Sequence, residues 1–249
     1  MAQNIYDDDR FLAGYSEFPR SRDGLDATSE WPAFRALLPH IPGKRVIDLG
    51  CGFGQLSRWL GNAGARSVLG IDLSAKMLER AVRETASSAV VYRRDNLDEL
   101  VLAPGSADLI VSSMALHYVE DFGRIARTMF GALAAGGQLV FSVEHPIYAA
   151  RAVPEWTIAA DGRRAFAVAD YLVEGRRVTN WIVDGVVKYH RTIGTMLNTL
   201  TAAGFTYGAL DEWRPTEAQL VDHPEWRETE LTRPMFVLCS MNKPAGGLH

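Results

Sequence analysis

Residues 46–56 read VIDLGCGFGQL, and this stretch decides the predicted fold. A short apolar run precedes glycines at positions 50, 52 and 54, and Asp48 stands two residues before the first of them. A strand, a glycine-rich turn and a helix in this order usually bind a phosphate through backbone N–H groups and the helix dipole. A carboxylate at the end of the strand would repel a phosphate. The sequence therefore predicts a positively charged ligand at this loop rather than a diphosphate.

Strands and helices alternate along the chain on both sides of this loop. We predict strands at 45–49, 67–71, 90–93, 107–112 and 138–143 and helices at 55–63, 75–84 and 118–134. A further helix at 194–203 and strands at 205–211 and 234–240 complete the pattern. Helices between successive strands are typical of crossovers in a parallel sheet.

The composition changes divide the chain into three predicted parts. Residues 1–43 are polar and aromatic, and we expect them to form an N-terminal helical arm over the active site. Residues 44–145 and 193–243 form the predicted α/β core. Residues 146–192 are rich in Tyr, Trp, Val and Arg and contain two turn signals, Glu174-Gly175 and Asp184-Gly185. They predict an insertion of two or three antiparallel strands that covers the substrate.

Composition and charge exclude several classes of protein. The 249 residues are 47% hydrophobic and 22% charged, which suits one large α/β domain. The net charge of -4 argues against nucleic-acid and membrane partners. Cys51 and Cys239 lie far apart and predict neither a metal site nor a disulfide framework. Without a secretory signal or a long apolar stretch, we expect a soluble cytoplasmic monomer or homodimer.

Two kinds of nucleoside ligand, a dinucleotide and S-adenosylmethionine, could bind at the glycine loop. The dinucleotide pattern G-x-G-x-x-G needs its third glycine where Gln55 stands. S-adenosylmethionine carries a sulfonium, an ammonium group and no phosphate, which suits Asp48. Asp72 ends the second predicted strand and can accept from both ribose hydroxyls, which either ligand has. Asp95 and Asn96 follow the third strand at the same edge and can accept from the adenine amino group.

These segments resemble the motifs of the class I S-adenosylmethionine-dependent methyltransferases that act on small molecules. The resemblance covers roughly residues 44–145 and includes VIDLGCGFG, VLGIDLS, RRDNLDEL, DLIVSSMALHYVED and LAAGGQLVFSVEHP. It implies a Rossmann-like, doubly wound α/β fold with helices on both faces and a small β-rich cover. The implied sheet has seven mostly parallel strands in the order 3-2-1-4-5-7-6, and its last strand is antiparallel.

The resemblance also implies where the methyl donor lies. Asp48 and Gly50 would lie near its methionine moiety, Asp72 at the ribose and Asp95 at the adenine. The whole expected donor set is Asp48, Gly50, Cys51, Gly52, Asp72, Leu73, Met77, Asp95, Asn96, Leu97, Ser112 and Tyr15. Within this set the side chains of Leu73 and Met77 would flank the adenine ring, and Cys51 would fill space in the turn.

The acceptor site is expected after the fourth strand and under the cover. The segment SSMALHYVED lacks the Asn/Asp-Pro-Pro-Tyr/Phe tetrad of the family's DNA adenine and glutamine amide methylators. It offers instead His117 and Tyr118 as catalytic candidates, with His117 as a base or as a hydrogen-bonding partner of the acceptor. The candidate substrate contacts are His145, Trp181, His190 and Tyr6.

The sequence thus predicts a methyltransferase that uses S-adenosylmethionine and methylates an oxygen or nitrogen of a small-molecule acceptor, without a metal. Three alternatives stay open. They are an RNA methyltransferase, an NAD-dependent oxidoreductase and a non-catalytic module that binds the donor.

Overall fold

The computed structural model describes residues 3–246. Its strands are β1 Arg45–Leu49, β2 Ser67–Asp72, β3 Val90–Arg94, β4 Ala107–Ser113, β5 Leu133–Glu144, β6 Glu155–Ile158, β7 Arg164–Ala167, β8 Gly175–Trp181, β9 Val183–His190, β10 Thr206–Glu212 and β11 Phe236–Asn242. Its α-helices are α1 Asp9–Ser16, α2 Pro19–Arg22, α3 Trp31–Leu37, α4 Gln55–Asn62, α5 Ala75–Glu84, α6 Phe122–Ala132, α7 Pro146–Ala149, α8 Ile193–Ala202 and α9 Glu217–Asp222. In this part of the chain, no helix has the length and apolarity needed to cross a membrane.

Seven strands form the main sheet in the order β3-β2-β1-β4-β5-β11-β10. Strands β1 to β5 pair in parallel with their neighbours, and β11 is antiparallel to both β5 and β10. This order confirms the predicted 3-2-1-4-5-7-6 topology. From β1 the chain adds β2 and β3 on one side of the sheet and then crosses to β4 on the other side of β1. Open α/β sheets bind ligands at the carboxyl ends of the strands beside such a switch point.

Alternate residues of the central strands pack into two apolar layers, one on each face of the sheet. Val46 packs with Phe34 of the N-terminal arm on one face. Ile47 packs with Ile125 of α6 on the other. Because both faces are covered, the strands are apolar almost throughout, and this explains why their sequences are easy to recognise.

The start of helix α6 differs from the prediction. The helix was expected from residue 118, but Leu116–Tyr118 form a 3-10 turn and α6 begins at Phe122. The Asp121 carboxylate accepts a hydrogen bond from Arg124 N at 2.8 Å and caps the helix. The helix ends at Ala132, and β5 begins at Leu133 rather than at residue 138.

The insertion contains more structure than predicted. After the short helix α7 it forms two separate hairpins, β6 with β7 and β8 with β9, instead of two or three strands. Helix α9 was not predicted, although Thr216 and Gln219 form a capping box at its start.

The N-terminal arm contains helices α1, α2 and α3, and its residues 1 and 2 lie outside the described part. It crosses the carboxyl edge of the sheet, where hydrogen bonds to the core and to the second hairpin hold it. Asp7 accepts a 2.5 Å hydrogen bond from Ser74 Oγ at the start of α5. The Gln3 side chain bonds the edge of β9, where it donates to Gly185 O and accepts from Val187 N, both at 2.8 Å. The arm therefore connects the core to the second hairpin.

Candidate active site

The glycine loop owes its shape to backbone conformations that favour glycine. Gly50 has φ 71° and Gly52 has φ 53°. A Cβ on Gly50 would lie 2.2 Å from the Cβ of Ala115, so the loop can approach the end of β4 only with glycine there. A Cβ on Gly52 would meet no atom within 4 Å, since this residue faces open space. Gly52 therefore offers bare backbone to a ligand.

Asp72, at the end of β2, is held rigidly beside this loop. Its Oδ2 accepts from Gly52 N at 2.8 Å and its Oδ1 accepts from Ser74 N at 2.9 Å. Burial raises the pKa of Asp72, and the backbone hydrogen bonds partly offset that rise. Each carboxylate oxygen keeps a second lone pair for a hydroxyl donor.

Asp48 lies beneath the glycine loop and outside the wall of the cavity above it. It is 1% exposed, and Ser57 Oγ donates to its Oδ2 at 2.6 Å. Burial raises the pKa of Asp48 to about 7, and the hydrogen bond from Ser57 limits that rise. The glycine loop thus separates the acid that suggested a cationic ligand from the cavity.

The glycine-loop cavity is the space between the loop, the end of β2 and the arm residues Tyr6 and Tyr15. The predicted donor residues that line it are Gly50, Gly52, Asp72, Leu73, Met77, Asn96, Leu97 and Tyr15. The structure thus brings together predicted residues from four segments that are far apart in the sequence.

Three more predicted donor residues lie outside this cavity wall. Cys51 is buried in the turn, where burial raises the pKa of its thiol well above its usual range. Asp95 turns away and pairs with Arg93 at 3.1 Å. Ser112 Oγ donates to Leu49 O at 2.8 Å inside the sheet.

Two nearby residues, Asp98 and Ser113, line the glycine-loop cavity instead. Sequence reasoning missed both of them. Ser112 and Ser113 point to opposite faces because side chains alternate along a strand, and the motif alone does not say which of them faces the ligand.

The aromatic cavity is a second space, of about 650 Å³, which lies between the arm, the 3-10 turn and the second hairpin. Its volume is in the range of small-molecule sites. Trp181, a candidate substrate contact, forms part of its wall and packs edge-to-face on Tyr15 with ring centroids 6.0 Å apart. Lys188 Nζ lies 4.9 Å from the centre of the Trp181 ring.

The two cavities share a wall formed by Tyr6, Tyr15, Met114 and Tyr118. The hydroxyl of Tyr6 donates to that of Tyr118 at 3.1 Å. Burial raises the pKa of Tyr6 and of Tyr118, so both phenols stay protonated near neutral pH. The hydroxyl hydrogen of Tyr118 is left for another acceptor. Any group that passes from one cavity to the other passes these side chains.

His117 lines the aromatic cavity but not the glycine-loop cavity. It is 7% exposed, and its Nδ1 is buried without a hydrogen-bond partner among residues 3–246. Burial lowers the pKa of His117 well below its usual range, and the charges of Lys188 and Arg191 lower it further. The imidazole is therefore neutral at pH 7 and able to accept a hydrogen bond, although burial makes it a weaker base than a free histidine.

The other two predicted substrate histidines lie outside the aromatic cavity. His145 is completely buried, accepts from Ile147 N at 3.0 Å through Nδ1 and pairs with Glu212 at 2.8 Å through Nε2. His190 Nε2 donates to Tyr171 O at 2.8 Å. These hydrogen bonds orient the two rings within the cover and at the end of β5, so neither ring faces the aromatic cavity.

Two ion pairs that sequence reasoning missed stand at the aromatic cavity. Arg20 pairs with Glu30 at 3.2 Å, and Lys188 pairs with Glu144 at 2.5 Å. Their members come from separate segments of the chain and follow no local motif. Across residues 3–246, no group of three or more His, Cys, Asp or Glu side chains could hold a metal ion.

Comparison with known proteins supplies the family. A family described as "Methyltransferase domain" matches residues 47–141. A crystal structure of an S-adenosylmethionine-dependent methyltransferase from Mesorhizobium loti is 52% identical, with a TM-score of 0.85 over 88% of this chain and 100% of that chain. The chain belongs to the S-adenosylmethionine-dependent methyltransferases. A putative methyltransferase of this kind from Listeria monocytogenes is 36% identical, with a TM-score of 0.81 over 88% of this chain and 98% of that one.

A curated relative with a named activity matches a shorter part of this methyltransferase. The ubiquinone biosynthesis O-methyltransferase of Ralstonia nicotianae is 36% identical over 108 residues, which are 42% of this chain and 45% of that protein. The alignment thus spans less than half of the length of that relative.

The family uses S-adenosylmethionine, and the glycine-loop cavity of this methyltransferase fits that donor. Gly52 offers its backbone, Asp72 offers lone pairs to ribose hydroxyls, and Leu73 and Met77 offer apolar surface to the adenine. The family assignment removes the dinucleotide alternative. With the arm in place the cavity holds about 120 Å³, below the roughly 300–1,000 Å³ of ligand sites, so we expect the arm to move when the donor enters.

Proposed function

We propose that this methyltransferase transfers the methyl group of S-adenosylmethionine to an oxygen or nitrogen of a small-molecule acceptor bound in the aromatic cavity. The observation that carries this proposal is the wall of Tyr6, Tyr15, Met114 and Tyr118 that the two cavities share. A donor in one cavity and an acceptor in the other meet across a single layer of side chains. Alignment of this kind supplies roughly 7–11 kcal/mol of the barrier reduction in favourable cases.

The roles of the acceptor-side residues follow from their positions. Trp181 offers a flat face to the body of the acceptor. The Tyr118 hydroxyl hydrogen-bonds the reacting group, because it lies on the shared wall and Tyr6 donates to it. His117 hydrogen-bonds the acceptor from deeper in the cavity and accepts its proton where the acceptor has one to lose. The Ralstonia relative is an O-methyltransferase, and this supports an oxygen acceptor.

The charge of the chain weighs against RNA as the acceptor, because RNA binding relies on a basic surface that tracks the phosphates. The net charge of -4 supplies no such surface overall. No specific contact favours RNA, and we keep it as an outcome of the test.

The test is a transfer assay with S-adenosylmethionine labelled in the methyl group and a bacterial small-molecule extract as the acceptor source. We expect a labelled low-mass product together with S-adenosylhomocysteine, and mass spectrometry then identifies the acceptor. Label on added tRNA or ribosomal RNA, and on no small molecule, would contradict the proposal. Tight donor binding without S-adenosylhomocysteine in any extract would identify a non-catalytic module instead.

A further inference from the structure

A third space, the hairpin cavity, extends the acceptor side of the molecule. It holds about 190 Å³ and lies between the second hairpin and residues 148–154, which lead from the end of α7 to β6. It shares part of its wall with the aromatic cavity, through His117, Glu144, Tyr148 and Trp181. It shares no wall residue with the glycine-loop cavity. The hairpin cavity therefore adjoins the acceptor site without adjoining the donor site.

The wall of the hairpin cavity carries more positive than negative charge. Its basic residues are Arg151, Arg177 and Lys188, and Glu144 is the one acid that residues 3–246 place in it. Lys188 Nζ lies 2.5 Å from Glu144 Oε1, so these two charges balance each other. Arg151 and Arg177 are then left without an acid in the wall, and the cavity favours a ligand with a negative charge.

Arg177 supplies charge to this cavity from a fixed position. Its Nε donates to Ala150 O at 2.7 Å, and its Nη groups donate to the carbonyls of Asp170, Val173 and Arg176. Carbonyl groups have no net charge, so they hold the guanidinium in place without neutralising it. Among residues 3–246, no carboxylate forms an ion pair with Arg177. Its positive charge therefore acts on a ligand through space, while its N–H groups are largely occupied.

Arg151 has the free donors that direct binding of an anion requires. Its Nη1 lies 2.8 Å from Glu155 Oε2, but Glu155 is 53% exposed and outside the cavity wall, and ion pairs of this kind are weak. Its Nε and Nη2, which together form the other edge of the guanidinium, bond no group among residues 3–246. The side-chain amide of Asn180, in the same wall, also has no hydrogen bond within that range. Two parallel N–H donors beside an amide match the oxygen atoms of a carboxylate or a phosphate.

The three cavities together give the acceptor an orientation. Its reacting group lies at the wall that the aromatic cavity shares with the glycine-loop cavity, and its body lies among the aromatic side chains. In that cavity Arg20 is balanced by Glu30, so the excess positive charge is confined to the hairpin cavity. An anionic group in the hairpin cavity is separated from the methyl donor by the aromatic cavity, and the methyl group does not reach it.

We propose that the methyl acceptor carries an anionic group, a carboxylate or a phosphate monoester, which binds in the hairpin cavity and is not itself methylated. Arg151 donates to this group through Nε and Nη2, and Asn180 donates to it through its amide. Arg177 stabilises its charge without direct contact. The methylated product keeps the anionic group. This inference rests on the proposed small-molecule transfer and specifies the class of acceptor.

Chemical treatment of the small-molecule extract tests the class of the anionic group. One portion is treated so that its carboxylic acids become amides, a second is treated with alkaline phosphatase, and a third is left untreated as the control. With methyl-labelled S-adenosylmethionine, we expect one of the two treatments to abolish most of the labelling. Loss after amide formation indicates a carboxylate, and loss after phosphatase treatment indicates a phosphate monoester. We also expect the labelled product to keep its label in strong alkali, which would release methanol from a methyl ester.

The outcomes separate this inference from the proposed function. Labelling that survives both treatments, or label that alkali releases as methanol, would overturn the anionic anchor and leave the small-molecule transfer standing. The absence of any labelled small molecule in the untreated extract would contradict both. This assay uses the unaltered protein, so it does not depend on the folding of a variant.

Substitution of Arg151 tests the site, with the acceptor purified from the extract. In Arg151→Gln we expect the KM for the acceptor to rise at least ~10-fold, as loss of hydrogen bonds to a charged group predicts. The kcat should stay within about threefold, because the anionic group is bound equally before and during methyl transfer. The Kd of S-adenosylmethionine should change less than about twofold, since the hairpin cavity does not adjoin the donor site. Arg151→Lys should recover part of the loss, because an ammonium keeps the charge but lacks the planar edge.

The matched control is Arg163→Gln in the first hairpin. Arg163 is 85% exposed, pairs with Asp161 and lies outside the wall of the hairpin cavity. We expect this variant to keep the acceptor KM of the unaltered protein. Equal increases of KM in Arg151→Gln and Arg163→Gln, an unchanged KM in Arg151→Gln, or a loss confined to kcat would overturn the role of Arg151.

Discussion

The donor side and the acceptor side of this methyltransferase are built by different means. The glycine-loop cavity is formed mainly by the ends of β1, β2, β3 and β4, where neighbouring strands fix each residue by backbone hydrogen bonds. The aromatic cavity is formed mainly by the arm, the second hairpin and the segment before β11. The arm packs on the second hairpin through Phe11 and Tyr15, which contact Trp181. It reaches the donor side through Asp7, at the start of α5.

This difference indicates how each side responds to change. The donor side depends on a rigid backbone, so substitutions there should affect donor binding and folding together. The acceptor side depends on packing between separate segments, so substitutions there should alter acceptor use and leave the donor in place. Each prediction below would sharpen or break that contrast.

The largest effect is expected at Gly50. In Gly50→Ala the new Cβ would lie 2.2 Å from Ala115 Cβ at a residue with φ 71°. The backbone strain and the forced repacking together predict a loss of roughly 2–5 kcal/mol in the free energy of unfolding. Donor binding should become undetectable by calorimetry.

The control for Gly50 is Gly105→Ala. Gly105 has φ 62°, but a Cβ there meets no atom within 4 Å. Chemical denaturation should show a loss of about 1–2 kcal/mol from the strained conformation alone, with normal donor binding. Equal losses of stability in the two variants would show that the contact with Ala115 is unimportant.

Asp48 should make the stability of the donor side depend on pH. Its pKa is raised to about 7 by burial, above the unfolded value of about 3.9. The folded state therefore holds a proton that the unfolded state has lost, and stability falls as pH rises from about 4 to 7. The full difference corresponds to at most about 4 kcal/mol.

Asp48→Asn is the variant that isolates this effect. Its free energy of unfolding should vary less between pH 4 and 7 than that of the unaltered protein, as measured by urea denaturation at several pH values in this window (~4–7). Parallel pH profiles for the two proteins would exclude a raised pKa at Asp48.

Asp72 and Asp95 provide a direct comparison of two acids at the same edge of the sheet. Asp72→Asn loses one of the two acceptors that hold Gly52 N and Ser74 N. Calorimetry should show a Kd for S-adenosylmethionine that is raised ~10- to 150-fold, as loss of a hydrogen bond to a charged group predicts. Asp95→Asn should change it less than about twofold, because its carboxylate pairs with Arg93 and lies outside the cavity. A larger effect at Asp95 would restore its predicted place at the adenine.

On the acceptor side, Trp181→Ala should raise the KM for the acceptor at least ~10-fold and leave the Kd for the donor nearly unchanged. Trp181 contacts the arm residues Tyr15 and Phe11 and lines the aromatic cavity. Trp156→Ala in the other hairpin is the matched control, since Trp156 packs on Phe166 away from that cavity. If Trp181→Ala weakened donor binding as much as acceptor use, the two sides would not be separable.

The same contrast explains what the sequence could predict. The strand order and the positions of Gly50, Gly52 and Asp72 followed from local patterns, because buried parallel strands and tight turns restrict the allowed residues. At the end of each strand the prediction was less accurate, since one step along the chain moves a side chain to the other face. Ser113 lines the cavity in place of Ser112 for this reason, whereas Asp98 lies in the loop after β3, where no strand periodicity fixes the side chains.

The acceptor side had no comparable local signal. Arg20 pairs with Glu30 once the arm folds on itself, and Lys188 pairs with Glu144 once the second hairpin packs on the end of β5. His145 and His190 were placed near the acceptor because they flank the insertion, but their hydrogen bonds to Glu212 and Tyr171 serve the structure. Tertiary contacts of this kind leave no periodic trace in the sequence.

The most direct test of the account is a crystal structure with S-adenosylhomocysteine bound. We predict that the ribose hydroxyls donate to Asp72 and that the sulfur atom faces the shared wall of Tyr6, Tyr15 and Tyr118, toward the aromatic cavity. A sulfur atom that points away from the aromatic cavity, or a ribose that does not contact Asp72, would contradict it.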